Sequence, residues 1–323
     1  METPAGGGQG LPAREGEPTT GGWTCWEPRL NRTEPEALRR AREVASRLQA
    51  RAWSAPAEIA YVTSPYDTDF APLAPQLLGK VEELRALWGD DGAVRWSLWL
   101  VDDRPLAEGF TRRALAAILA DEGARRLHEQ GRLRVIPIQR LPARRGGRKG
   151  RAILDGMGAA LAALPTLRAL IYINLNLKVP AALSALGLEP VLDGECDAAV
   201  GSRAAEDGGE VRGAGRLGRV KSVAFNRLTR ALLPPLSRYG DTNAPLKVFA
   251  PRAATFLYEE ATIPRVTMDI EWLAMLHARG WRVQTFPVIW TQRPGSRPPW
   301  HLVPQSAIDI ALVRRRWGQK AGR

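Results

Sequence analysis

Four short runs of nearly unbroken apolar character, EIAYV, VRWSLWLV, RLRVIPI and RALIYI, alternate along the chain with stretches of helical spacing. This alternation constrains the fold more than any other feature. A strand with one wet face alternates apolar and polar residues, whereas runs this uniform need cover on both faces. Strands separated by helices imply crossovers and therefore a mostly parallel sheet flanked by helices, an α/β fold. Ligands of such sheets bind beyond the carboxyl ends of the strands. The polar tips at Tyr66-Asp67, at Asp102-Asp103 and from Asn174 to Asn176 all fall on that edge.

The organisation expected around this sheet has four parts. Residues 1–22 are rich in Gly, Pro, Thr and Glu and are expected to be a disordered tail. Residues 23–55 carry a helical arm, EPEALRRAREVASRLQARA, and residues 56–300 carry the main domain. In that domain TRRALAAILADEGARRLHEQG is expected to be one helical stretch, and WRVQTFPVIW one late strand. Residues 301–323 end the chain as a basic helix.

Composition excludes several classes. Two cysteines, Cys25 and Cys196, cannot make a disulfide scaffold, and the three histidines form no zinc-spaced cluster. No apolar core of a signal peptide and no run long enough for a bilayer span are present, so a cytoplasmic protein is expected. The net charge of +12 suits an anionic partner or simply an arginine-rich surface. A nucleic-acid binder is disfavoured, because the chain has no aromatic-rich strand motif and no recognition helix.

The order of motifs resembles that of family 2 glycosyltransferases, and within them the dolichyl-phosphate mannose and glucose synthases. The resemblance covers roughly Ile59 to Trp290. It is carried by TSPYDTD, LVDDRP, GGRKG, INLNLKVP, Gly201-Ser202-Arg203, DTNAPLKVF, TMDIEWL and RVQTFPVIW. It implies a GT-A fold, a nucleotide-diphosphate sugar as donor, and an acceptor that is a phosphorylated lipid or small molecule.

By this resemblance Tyr66, Asp67, Asp102, Asp103, Lys149, Asn174 and Asn176 bind the donor. Arg203, Arg219, Ser222, Lys247 and Glu271 bind the acceptor, and Lys178 and Asp269 are catalytic. The residues allow other roles. Asp102 and Asp103 at a strand end can equally cap a helix or a turn. RRGGRKGR around Lys149 can be a solvated charge run, and the register of GRLGRVKS also admits Lys221. Asp269 and Glu271 suit the electrostatics of a helix start.

The departure from the family lies at Asn174-Leu175-Asn176, where the pattern has two metal-binding aspartates. Amides are poor ligands for a hard divalent cation but can donate to phosphate oxygens. Lys178 follows, and its ammonium can take over part of the metal's work on the departing diphosphate. The expected enzyme is therefore an inverting, metal-independent glycosyltransferase without cofactor. Mg or Mn enters only if a displaced site exists at Asp67/Asp69. The alternative is a pseudoenzyme that binds a nucleotide sugar or a protein. The C-terminal helix, with Arg314, Arg315 and Arg316, is expected to touch an anionic membrane on its inner face.

Overall fold

The computed structural model describes residues 34–65, 73–102, 109–138, 149–213, 216–291 and 303–318. Its centre is a sheet of seven strands: β1 (Ala57–Thr63), β2 (Val94–Asp102), β3 (Leu133–Pro137), β4 (Leu167–Ile173), β5 (Ala198–Ser202), β7 (Leu246–Phe249) and β8 (Val283–Pro287). Their order across the sheet is β3-β2-β1-β4-β7-β5-β8. The four apolar runs became β1 to β4, all parallel; β1, β2 and β4 are buried on both faces, whereas β3, at the edge of the sheet, fully buries only Leu133. The expected mostly parallel sheet is present, with one exception. β7 runs antiparallel to both neighbours, pairing Tyr172 with Lys247 on one side and Val200 with Lys247 on the other.

Helices cover both faces. On one face lie α1 (Glu36–Ala50), α2 (Leu73–Trp88), α3 (Phe110–Ala120), α4 (Glu122–Glu129) and α6 (Ser184–Leu192). On the other lie α5 (Lys149–Ala163), α8 (Pro251–Glu260), α9 (Met268–Ala278) and α10 (Val303–Trp317), with α7 (Arg216–Leu232) beside them. The helix expected over residues 34–52 is α1. Its Leu38, Ala41, Val44, Ala45 and Leu48 share the core of the first face, and Arg47 pairs with Glu189 of α6.

Two expectations change. The single stretch TRRALAAILADEGARRLHEQG is two helices, α3 and α4. Asp121 is extended between them and accepts from the Ala124 N–H at 2.7 Å, as an N-cap does. RVQTFPVIW is two strands, β8 in the main sheet and β9 (Ile289–Thr291), which pairs with β6 (Glu210–Arg212). They part at Val288, whose N–H bonds the Ser202 carbonyl while its own carbonyl takes the Glu210 N–H. α6 gave no clear signal, because Gly187 and Pro190 interrupt it. Gly187 lets the helix approach the sheet, since a Cβ there would stand 2.6 Å from the Phe286 ring.

α10 packs on α9 and α7 through Ile310, Val313 and Trp317, while Ile308 and Leu312 face outward at 55 % and 51 % exposure. No described helix is long and apolar enough to cross a membrane. Cys196 is buried, and burial pushes its thiol up to about 11, a range in which it is inert. Cys25 and the tail of residues 1–22 lie outside the described residues.

Candidate functional site

The carboxyl ends of β4 and β5 and the start of β7 meet at one edge of the sheet. Because β7 is antiparallel, its first residues join this edge, and Lys247 stands beside Tyr172 of β4. Four cations gather there: Lys149, Lys178, Arg203 and Lys247. Two carboxylates, Asp241 and Asp269, accompany them.

Asn174 follows β4 directly and is buried. Its Oδ1 accepts from Lys149 Nζ at 2.9 Å and from the Tyr172 hydroxyl at 3.1 Å. An ammonium only donates, so the oxygen end of the amide must face Lys149. The NH2 end is then what Asn174 can present to a ligand. Lys149 Nζ also lies 5.7 Å from the centre of the Tyr172 ring, and Lys247 Nζ lies 5.8 Å from it. These distances suit cation–π contact. Tyr172 escaped the sequence reading. Its signal was position: two residues before Asn174, it shares that residue's side of the strand.

Lys149 opens α5. The first amides of a helix attract anions, but here the Pro264 carbonyl takes the Gly150 N–H at 2.8 Å and the Arg151 N–H at 3.2 Å. The positive charge at this point therefore comes mainly from the lysine side chain. Gly150 is required by crowding: a Cβ would lie 2.8 Å from the Ile263 carbonyl oxygen and 2.9 Å from that of Arg265.

Asn176 Oδ1 accepts the Lys178 N–H at 3.4 Å, a turn that asparagine favours. It aims Lys178 toward Trp290 of β9, with Nζ 5.4 Å from the ring centre. The Thr291 N–H bonds the Lys178 carbonyl at 2.9 Å and ties β9 to this turn. Trp290 was quoted in the motif series but not singled out as a site residue.

Arg203 follows β5 and makes a two-pronged pair with Asp241 at 2.6 and 3.0 Å, with a further bond to the Asn243 carbonyl at 3.3 Å. Burial works against the Arg203 charge, but Asp241 outweighs it and holds the guanidinium above its ordinary value. Burial likewise opposes the Asp241 charge. Arg203 and the N–H groups of Asn243 and Arg203 nevertheless hold that carboxyl below its usual range. Lys247 is 1 % exposed and bonds Asp269 Oδ1 at 2.6 Å and the Ala244 carbonyl at 2.5 Å. Burial pushes its ammonium below the usual lysine range, against the pull of Asp269. The two pairs are close enough for Asp269 to act on Arg203 as well.

The structure thus brings together Lys149, Asn174, Asn176, Lys178, Arg203, Lys247 and Asp269. It assigns two residues other work. Asp102 accepts the N–H and hydroxyl of Thr111 in the first turn of α3, the helix-start role open to it from the outset. Glu271 is 1 % exposed. It accepts the N–H groups of Thr262 and Ile263 and the Thr262 hydroxyl, so it holds a turn. Arg219 and Ser222 fall on the first turns of α7, with side chains outside the described residues. Tyr66, Asp67, Asp69 and Asp103 also lie outside them. Among the described residues, no group of three or more His, Cys, Asp or Glu side chains forms a metal-binding cluster.

No protein-family model matches the chain, and no curated protein sequence does at a significant level. Solved structures do match in shape. Glucosyl-3-phosphoglycerate synthase from Mycobacterium tuberculosis superposes with a TM-score of 0.56 over 85 % of each chain at 19 % identity. The same protein with Mn2+, uridine diphosphate and glucosyl-3-phosphoglycerate gives 0.53, covering 89 % of this chain and 87 % of that one. Its complex with phosphoglyceric acid gives 0.55 over 85 % and 84 %. At such identity the likeness establishes architecture: the chain has the GT-A fold.

Proposed function

We propose that this chain is a glycosyltransferase that moves a sugar from a nucleotide-diphosphate sugar to a phosphorylated acceptor, with inversion and without a divalent metal. One observation carries the reading. Asn174 is locked with its oxygen on Lys149, so positions 174 and 176 offer a ligand amide N–H groups beside ammonium groups, and the two carboxylates of this edge, Asp241 and Asp269, are each paired with a cation. That polarity suits phosphate oxygens and disfavours a hard cation. The fold and the bound molecules named for its structural neighbours, uridine diphosphate and a phosphorylated acid, support the same substrate classes. The complex with uridine diphosphate also holds Mn2+, so the metal-free step is a claim about this chain alone.

In this mechanism an anionic phosphate oxygen of the acceptor, which has no proton to lose, attacks the anomeric carbon from the face opposite the diphosphate. The bond from that carbon to the diphosphate oxygen breaks, and the diphosphate leaves with the electron pair. Lys178 and Lys149 supply charge to it, and Lys178 is the group expected to gain most in the transition state. Lys247 and Arg203, each paired with a carboxylate, set the acceptor side, and Asp269 orients Lys247 and the acceptor. The basic outer face of α10, with Arg314, Arg315 and Arg316, is proposed to meet an anionic membrane, which would suit an acceptor that is a phosphorylated lipid. A displaced metal site at Asp67/Asp69 stays the rival for the cofactor. Binding of UDP- and GDP-sugars by calorimetry, with added Mg or Mn and with chelator, tests the proposal. Loss of binding in chelator would reject the metal-free reading.

A second reading, a pseudoenzyme that binds a sugar nucleotide without turnover, is favoured by site groups already engaged inside the protein. Asp102, Arg203 and Lys247 all have internal partners. Absence of turnover across a broad acceptor panel, with donor binding intact, selects it.

A further inference from the structure

The segment joining α8 to α9 is gripped by two buried carboxylates. Glu271 holds its first half through Thr262 and Ile263, from the helix that follows. The second grip comes from far away in sequence. Asp309 of α10, 1 % exposed, accepts Arg265 Nε and Nη2 at 3.2 and 2.6 Å, Gln305 Nε2 at 3.2 Å, and the Thr267 hydroxyl.

What this segment touches gives the grip a purpose. Between the two clamps, the Pro264 carbonyl bonds the N–H groups of Gly150 and Arg151. The Ile263 and Arg265 carbonyl oxygens press against Gly150 closely enough to exclude a side chain. Lys149 is the residue before Gly150, and its ammonium reaches Asn174. At the other end, Thr267 precedes α9, two residues before Asp269, which holds Lys247. Asp309 therefore anchors a segment whose ends seat both a cation and a carboxylate of the candidate site.

We propose that Asp309 is a positioning residue: through Arg265 and Thr267 it fixes the segment 262–267, and through that segment the placement of Lys149 and Asp269. The C-terminal helix is thereby part of the site without touching a substrate. The importance of Lys149 and Asp269 for chemistry rests on the glycosyltransferase reading, whereas the positioning itself does not. A carboxylate that merely glued α10 to the body would contribute stability and leave Lys149 where it is.

The test uses the full chain and amine acetylation by an N-hydroxysuccinimide ester, with each lysine followed by mass spectrometry. Lys149 is compared with Lys80, which is fully buried on the opposite face of the sheet. Asp309→Asn replaces a charge-assisted acceptor by an amide and is expected to raise the Lys149 rate roughly tenfold, with Lys80 unchanged. Asp197→Asn is the control. It removes a buried carboxylate paired with Arg252 and Arg282 beside the start of β5, at the other edge of the sheet, and should lower Tm without changing the ratio. If Asp309→Asn does not fold, Arg265→Gln and Thr267→Val remove donors to the same carboxylate and should show the same selective rise. A non-additive double variant Arg265→Gln/Asp309→Asn supports one shared route. An unchanged Lys149 rate, or Lys149 and Lys80 rising together, overturns the proposal. Calorimetry with inorganic pyrophosphate is run in parallel. Weaker binding in Asp309→Asn supports the proposal. Failure of the native chain to bind pyrophosphate counts against the donor-site reading, and the labelling result still decides the positioning role.

Discussion

Lys178 and Arg203 approach the same indole: each places its charge 5.4 Å from the centre of the Trp290 ring. The ring's electron-rich faces partly offset the repulsion between two neighbouring cations. Arg203 also holds Asp241 as a close ion-pair partner.

Lys178→Ala is expected to lower turnover by about a hundredfold or more while weakening donor binding far less, as removal of a charge most valuable in the transition state does. Lys178→Arg should recover part of the rate, because charge is kept while reach changes. Steady-state rates together with donor calorimetry give the comparison. Equal losses in both quantities would make Lys178 a simple binding group.

Restoring two carboxylates reverses the polarity of the edge. The variant Asn174→Asp/Asn176→Asp/Lys178→Gln is expected to need Mg or Mn for activity. The carboxylate introduced by Asn174→Asp would also become an ion-pair partner of Lys149, which already reaches this position. A titration of rate against metal concentration measures the metal requirement. Activity unaffected by metal in the triple variant would show that the amides are not the reason for metal independence.

Asp241 links the site to acid stability. Its folded-state value lies below the ordinary 3.8, so the unfolded chain binds the proton more readily. The stabilisation is complete above the ordinary value and is lost as pH falls through the lower, folded one. Asp241→Asn should flatten this acid limb. At neutral pH it should cost about 3 kcal/mol, because it strands a largely buried guanidinium. Thermal melts from about pH 2.5 to 7 read both effects. An unchanged acid limb would mean that other carboxylates govern it.

The outer surface of α7 and α10 predicts membrane behaviour. α7 contains no acidic residue, and the only one in α10, Asp309, is buried and paired. Val223 and Leu228 of α7 are exposed like Ile308 and Leu312 of α10. Basic residues near anionic lipid contribute about 1 kcal/mol each. Sedimentation with phosphatidylserine vesicles should therefore exceed that with neutral vesicles. Ile308→Ser/Leu312→Ser/Arg314→Gln/Arg315→Gln, which leaves the packed face intact, should reduce it. Equal sedimentation of the two proteins would place these arginines in water only.

The sheet was legible because β1, β2 and β4 are buried on both faces, which leaves a compositional trace, and the edge strand β3 is apolar enough to read the same way. β7 is as buried as they are, but nothing in LKVF encodes the direction in which it runs. Direction depends on the path of the chain between β5 and β7. Lys149, Lys178, Arg203 and Lys247 could be named from motif order, since each occupies a fixed place beside a strand or helix end. Their internal partners could not, because Asp241 with Arg203, and Asp309 with Arg265, meet across many residues. Asp102 and Glu271 show the converse. A carboxylate beside a helix start has backbone donors within reach, and its sequence context is the same whether those donors or a ligand take it.

The reversal of β7 has a consequence for how such a chain can diversify. Residues 203–245 leave the sheet at the end of β5 and return to the same edge at the start of β7, with Arg203 clasped to Asp241 at the base. Everything between is an excursion whose two feet stand side by side. It is tied to the body by β6, which pairs with β9, and by Leu233, Leu236 and Tyr239 in the core, so changes of length fit between those anchors, where they leave the register of the sheet, and with it Lys247 and Tyr172, in place.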